Sequence, residues 1–149
     1  MKSLLTDSQL FPSLVSDIMS SPVVTIDSKA RANDAARVMV EKNIGSVVVI
    51  REGRPWGIIT ERDIIERVVA PGRDSNQLRI ADITSSPLIC INKDAPILDA
   101  IRVMRSHNIR RLAIITNGIL EGLVTERDVI RAVAMASLTS FRSLMEIRK

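Results

Sequence analysis

The sequence predicts an α/β (α+β) protein built from two copies of one β-α-β-β-α unit. Its 149 residues, 46% of them hydrophobic, suffice for one compact domain or two closely packed halves. A shift of 65 residues aligns residues 15–68 with 80–133 without a gap, and 23 of the 54 aligned pairs are identical. Within each copy, short β-branched runs alternate with helical patterns. A three-stranded sheet with two helices leaves one sheet face uncovered, so we expect the copies to pack sheet to sheet.

The identical positions occur as short blocks. Ser20-Ser21-Pro22 recurs as Ser85-Ser86-Pro87, and Thr60-Glu61-Arg62-Asp63 recurs as Thr125-Glu126-Arg127-Asp128. These blocks divide the chain into an N-terminal extension (1–14), a first repeat (15–70), a linker (71–79), a second repeat (80–136) and a C-terminal helical extension (137–149).

The elements of the first copy are predicted in order from local patterns. The apolar run Val23–Ile26 after a proline indicates a short strand, and a single apolar stripe over Ala32–Lys42 indicates a helix. Asn43 is a plausible end for that helix. Two strands follow, Ser46–Arg51 and Pro55–Thr60, joined by the tight-turn dipeptide Glu52-Gly53. Thr60 then starts a helix over Glu61–Ala70, with Asp63 at the capping-box position.

The second copy repeats these elements, with Asn108 and the turn Asn117-Gly118 in the matching places. Its strands are predicted at Leu88–Ile91, Arg111–Thr116 and Leu120–Thr125, and its helices at Leu98–His107 and Glu126–Ala136.

Composition excludes several classes of protein. A single histidine and a single cysteine, Cys90, provide no internal disulfide, zinc site or Ser-His-Asp set, so we expect no metal and no enzyme activity. We expect Cys90 to be a small buried hydrophobic residue. No apolar run approaches the ~20 residues that span a bilayer, and the N-terminus lacks a secretory signal, which predicts a soluble, cytoplasmic protein.

The repeat resembles a known family. Asp-Ile-Met-x-x-Pro, a helix, Val-Val-Val-Ile and then Gly-Ile-Ile-Thr-Glu-Arg-Asp-Ile are similar to the CBS domain (cystathionine-β-synthase type), and two copies resemble the tandem pair called a Bateman module. The resemblance covers residues 15–133, which suggests a stand-alone CBS pair. It implies a pseudo-twofold relation between the repeats and a regulatory module that binds AMP, ADP, ATP or S-adenosylmethionine in clefts between them, with no cofactor besides that ligand.

The resemblance also implies which residues bind. Asp63 and Asp128 would accept the two hydroxyls of a ribose, with Thr60 and Thr125 beside them at helix N-termini that suit phosphate. Apolar residues at the start of each repeat, Val15 and Ile80, would border the adenine of the opposite copy's site with their backbone or side chains. Thr-x-x-Asp before an apolar helix is also typical of an ordinary helix cap.

Arginines are the candidates for phosphate contacts. Arg110 and Arg111 stand at the start of the second strand of the second copy, where the first copy has Gly45-Ser46, so we expect the two sites to treat phosphate differently. The alternative is that the pair is surface charge. Arg62 and Arg127, within the repeated signature, are either phosphate contacts or helix-surface residues, and His107 is expected at a solvent-facing helix end.

Two further expectations concern partners. The helices over 61–70 and 126–136 are apolar on more than one face, which favours a homodimer that buries them. The net charge of +4 arises in residues 76–149 and allows an alternative function in nucleic-acid binding. Few aromatic residues are available to stack on bases, however: Phe11, Trp56 and Phe141. A purely structural, partner-docking role is the third alternative.

Overall fold

The computed structural model describes residues 12–146 and divides them into two compact units. The first unit is Pro22–Ile89, and the second combines residues 12–21 with residues 90–146. Most of the predicted N-terminal extension and the last three residues of the predicted C-terminal extension lie outside the described residues. Over residues 12–146, no helix combines the length and apolarity needed to cross a membrane.

The first unit contains one three-stranded sheet, two helices and a short 3-10 helix at Ile80–Asp82. In the sheet, β1 runs parallel to β2, and β2 runs antiparallel to β3. The bounds are β1 Thr25–Asp27, α1 Ala32–Lys42, β2 Ser46–Arg51, β3 Arg54–Thr60 and α2 Glu61–Ile64, which continues as a π-helical turn over Ile65–Val69.

The second unit has the same sheet order and the same strand directions. Its register shifts between Ile114 and Ile115, at the position that matches the shift between Val49 and Ile50 in the first unit. The bounds are β4 Cys90–Ile91, α3 Ile97–His107, β5 Arg111–Thr116, β6 Ile119–Thr125 and α4 Glu126–Glu146. The predicted α+β class and the β-α-β-β-α order are therefore confirmed.

The central strand of each sheet is buried on both faces. Val47, Val48 and Val49 of β2 are at most 1% exposed, as their unbroken β-branched run predicts. In the first unit the apolar stripe of α1 covers the sheet, and this core comprises Ala32, Ala35, Met39, Val47, Val49, Ile59, Val68, Leu78, Ile80 and Ile83.

The turns and helix ends follow the sequence signals. Both residues of Glu52-Gly53 and of Asn117-Gly118 have positive φ, as two-residue hairpins of type I′ require. Helices α1 and α3 end at Asn43 and Asn108, which adopt the left-handed conformation that stops a helix.

The segment that begins each sequence repeat pairs with the sheet of the other repeat. Ser20 forms an antiparallel bridge with Leu123 of β6, and Ser85 forms the matching bridge with Ile58 of β3. The compact units therefore differ from the sequence repeats at two segments: residues 15–21 of the first repeat lie in the second unit, and residues 80–89 of the second repeat lie in the first unit. We call these the exchanged segments.

Three local expectations are corrected. Cys90 is exposed, because β4 is a two-residue strand at the sheet edge. The helix predicted over Glu61–Ala70 is α-helical only to Ile64 and then widens into the π turn. The helix predicted to stop at Ala136 continues without a break into the extension, as far as Glu146.

The exchanged segments give a stability prediction. A Cβ at Gly57 would overlap Thr84 Cγ2 and lie 2.6 Å from the Ser85 carbonyl oxygen, whereas a Cβ at Gly122 would lie 2.6 Å from the movable Met19 Sδ and 3.1 Å from the Ser20 carbonyl oxygen. We expect Gly57→Ala to lower the free energy of unfolding by about 2–3 kcal/mol and Gly122→Ala by about 1 kcal/mol, since overpacking against backbone cannot relax. Urea unfolding measures both, and an equal or larger loss for Gly122→Ala would contradict the argument.

Candidate functional site

In the first unit, the junction of β3 and α2 is held by a reciprocal cap. Thr60 Oγ1 accepts a hydrogen bond from the Asp63 backbone N–H at 3.2 Å, and Asp63 Oδ2 accepts from the Thr60 N–H at 2.8 Å and its hydroxyl at 2.9 Å. The predicted capping box is confirmed. It turns the carboxylate back toward the end of the strand and leaves only Oδ1 for other partners.

The second unit repeats this cap where β6 meets α4. Asp128 Oδ2 accepts from the Thr125 N–H and hydroxyl, both at 2.8 Å, and Thr125 Oγ1 accepts from the Asp128 N–H at 3.2 Å. Asp128 is half-buried, whereas Asp63 is buried. Within residues 12–146, Asp128 Oδ1 has no hydrogen bond or ion pair.

The residues opposite the two threonines differ. Ser46 is the cross-strand partner of Thr60, and Arg111 is the cross-strand partner of Thr125. Directly opposed residues share a sheet face and have Cβ atoms about 5 Å apart. Arg111 is half-buried, and its guanidinium forms no hydrogen bond or ion pair with the described part of the chain. The side chain of Arg111, which is unpaired in the described part of the chain, therefore leaves the backbone beside the Thr125–Asp128 cap.

Arg67 is the feature of the first cap that the sequence reasoning missed. It lies one turn after Asp63, with its Nη2 3.5 Å from Asp63 Oδ1. The second repeat has Ala132 at the matching position. This departure was visible in the repeat alignment, but the contact itself also depends on residues brought in from the exchanged segment.

The two predicted adenine-bordering residues are core residues. Val15 and Ile80 are both fully buried, and their backbone N–H groups donate to the carbonyl oxygens of Ala95 and Ala30, respectively, at 2.9 Å. Each lies in the unit of the opposite sequence repeat. Val15 and Ile80 thus pack the exchanged segments into the units, and their side chains have no exposed surface.

The remaining predicted cations lie away from the caps or at the surface. Arg62 is exposed and pairs with Glu66 on the same helix, and Arg127 is exposed on α4. Arg110 is 75% exposed and lies with its Nε 3.7 Å from Glu126 Oε2. His107 is exposed at the end of α3, as expected.

Arg110 also borders an apolar cavity of about 640 Å³ between α3 and α4 of the second unit. The cavity is lined mostly by aliphatic side chains from the two helices, including Ile101, Met104, Val129, Ile130 and Val133. Arg110 and Arg111 thus belong to different surroundings, one at this cavity and one at the cap.

The chemistry available at the caps is ligand binding. A carboxylate with a free oxygen at a helix N-terminus accepts hydroxyl donors, and a neighbouring arginine suits an anionic group. Among residues 12–146, no three His, Cys, Asp or Glu side chains are grouped to hold a metal ion.

Two matching units of this topology, each with a Thr-x-x-Asp cap where the last strand meets the following helix, define a tandem α+β repeat module. The model of the CBS domain family matches residues 15–70 and 80–135. The chain belongs to the CBS domain family and carries two CBS domains in tandem.

Known relatives agree with this assignment. The uncharacterized protein MK0525 of Methanopyrus kandleri is 37% identical over 119 residues, which cover 78% of this chain and 61% of that protein. The CBS domain-containing protein YhcV of Bacillus subtilis is 34% identical, over 78% of this chain and 83% of its own. The crystal structure of the CBS domain protein PAE2072 from Pyrobaculum aerophilum, complexed with AMP, is similar with a TM-score of 0.71 and 29% identity, over 77% of this chain and 88% of that one.

Proposed function

We propose that this chain is a regulatory module that binds an adenosyl ligand through the Asp128 cap. One observation carries the proposal: Asp128 Oδ2 is fixed by Thr125 while Oδ1 stays without a partner among the described residues. The carboxylate is thus oriented before any ligand arrives, and its second oxygen is available to the hydroxyls of a ribose.

The ligand class is proposed by analogy with the AMP-bound relative. PAE2072 has a similar fold and is 29% identical to this chain over the aligned residues. The ligands proposed here are AMP, ADP, ATP and S-adenosylmethionine, which share the adenosine group and differ beyond the ribose 5′ carbon. No other cofactor is proposed.

Arg111 is proposed as the residue that distinguishes among these ligands. It is the cross-strand neighbour of Thr125 and has no competing partner in the described part of the chain. A guanidinium forms paired, charge-assisted hydrogen bonds with phosphate. Arg110 is already near Glu126 and faces the α3–α4 cavity, so only Arg111 is assigned to the phosphate.

Self-association is the proposed context for regulation. Ile65 and Val69 on the segment after α2, and Ile130 and Val133 on α4, are all more than half exposed. Large apolar side chains on one surface commonly mark an interaction site. We propose that these two faces meet a second copy of the chain in a homodimer.

The ribose anchor is tested by Asp128→Ala. Loss of two charge-assisted hydrogen bonds, each about 1.5–3 kcal/mol, should weaken AMP binding at least about tenfold, since 1.4 kcal/mol is tenfold. Titration calorimetry with AMP, ATP and S-adenosylmethionine measures this, and thermal unfolding checks that the variant is folded. Asp99→Ala is the control, because Asp99 pairs with Arg102 at the surface of α3 and is not part of either cap. Unchanged affinity in folded Asp128→Ala would exclude the anchor.

The phosphate contact is tested by comparing two adjacent arginines. Arg111→Ala should weaken AMP at least about tenfold and leave adenosine binding nearly unchanged, because only AMP offers a phosphate for charge-assisted bonds. Arg110→Ala removes the same charge one residue away and should affect neither ligand. Equal effects of the two substitutions on AMP would show that general surface charge, not a specific contact, is responsible.

The homodimer is tested by charge insertion. Ile65→Glu combined with Ile130→Glu should convert the dimer to monomer, because dimerisation would bury two carboxylates per chain without partners. Sedimentation velocity at several concentrations measures the mass. Ile119→Glu is the control, since Ile119 is equally exposed but lies at the β5–β6 hairpin. A monomeric unsubstituted chain at every concentration would refute the proposal.

A further inference from the structure

Arg67 is held over the first capping carboxylate by three groups. Its Nη1 donates to the Ile83 carbonyl oxygen at 2.7 Å, and its Nη2 donates to Ser85 Oγ at 3.2 Å and lies 3.5 Å from Asp63 Oδ1. Ile83 and Ser85 belong to the segment exchanged into this unit from the second repeat. The guanidinium is therefore tethered on both sides and is not a freely moving surface cation.

The second unit lacks this arginine but retains the positions that would hold it. Ile18 and Ser20 match Ile83 and Ser85 in the repeat, and Ser20 forms the equivalent bridge to the last strand. Ala132 stands where Arg67 stands and is 8% exposed. The second unit therefore differs from the first in the side chain that would lie over the carboxylate, on a frame that is otherwise retained there.

A tethered guanidinium beside Asp63 competes with a ribose. Asp63 Oδ2 is already occupied by the Thr60 N–H and hydroxyl, and Arg67 occupies the space next to Oδ1. Two ribose hydroxyls would have to displace Arg67 from the carboxylate and from its tethers to Ile83 and Ser85. At Asp128 no such displacement is needed, because Oδ1 has no partner among residues 12–146.

We infer that Arg67 closes the first of the two predicted ribose anchors, so that each chain binds one adenosyl ligand, at Asp128 and not at Asp63. This inference rests on the proposed function. It makes Arg67 the residue that decides how many ligands the chain binds, and it replaces the expectation of two sites that treat phosphate differently.

The first experiment removes the guanidinium that lies against Asp63. Calorimetry with AMP should give one site per unsubstituted chain and a second site in Arg67→Met, which keeps the aliphatic stem but removes the guanidinium. Asp63→Ala should leave the single site of the unsubstituted chain unchanged, and in combination with Arg67→Met it should abolish the added site. Thermal unfolding verifies that each variant is folded.

The second experiment introduces an arginine beside Asp128 in the other unit, and its result does not depend on the folding of Arg67→Met. Ala132→Arg places a guanidinium where Ile18 and Ser20 can tether it, and should weaken AMP binding at Asp128 at least about tenfold. Ala132→Met adds similar bulk without charge and should keep more of the affinity. In the exchange variant, Arg67→Met with Ala132→Arg, the remaining site should depend on Asp63.

The outcomes separate the two proposals. Suppose that the unsubstituted chain binds AMP at Asp128, that Arg67→Met adds no site and that Ala132→Arg keeps the existing site. Then the inference that Arg67 blocks binding at Asp63 is wrong, and the proposed function stands. If Arg67→Met weakens AMP instead, Arg67 contacts the phosphate and the closure is wrong. If no variant binds AMP, ATP or S-adenosylmethionine, both proposals are overturned.

Discussion

The structure depends on one interaction that occurs twice, the carboxylate that caps the helix after the last strand of each sheet. Asp63 and Asp128 each accept two hydrogen bonds from the preceding threonine, which fixes the angle at which strand becomes helix. The same carboxylate is the proposed ligand anchor. The cap uses Oδ2 in both units and leaves Oδ1 for other contacts. Oδ1 of Asp63 lies near Arg67, whereas Oδ1 of Asp128 has no partner among residues 12–146.

The sequence predicted the repeated frame closely because its signals are local. Helix α1 and strands β2 and β5 have the bounds that apolar periodicity indicates, and the hairpins turn at the two predicted dipeptides. The capping box also follows from residues three positions apart. The bounds of the short edge strands were less well predicted, because two or three residues carry little pattern. Cys90 lies in one of these strands and is exposed, because an edge strand has a neighbouring strand on one side only.

What the sequence could not supply was the placement of long cationic side chains. Arg110 and Arg111 are adjacent in the chain, but Arg110 lies near Glu126 beside the α3–α4 cavity while Arg111 opposes Thr125 in the ladder. Arg110 lies just before β5 and Arg111 is its first residue, so the pair was predicted as one group although it divides into two. Arg67 depends on partners 16 and 18 residues away. Its role requires the exchange of segments between repeats, which no local pattern encodes.

The exchange of segments explains how two nearly identical caps acquire different chemistry. In the first unit the segment that begins the opposite repeat lies beside the cap, so Arg67 on the capping helix is tethered to groups 16 and 18 residues away in sequence. Arg67 uses this arrangement and neutralises its carboxylate, whereas Ala132 does not, and Arg111 adds a cation where the first repeat has Ser46. Both differences act in the same direction: in the first unit Arg67 lies against the capping carboxylate, and in the second unit the carboxylate keeps one oxygen without a partner among residues 12–146 and has a cation nearby. Under the proposed function, a repeated frame would thus yield one binding site through two substitutions, without any change in the topology that supports them.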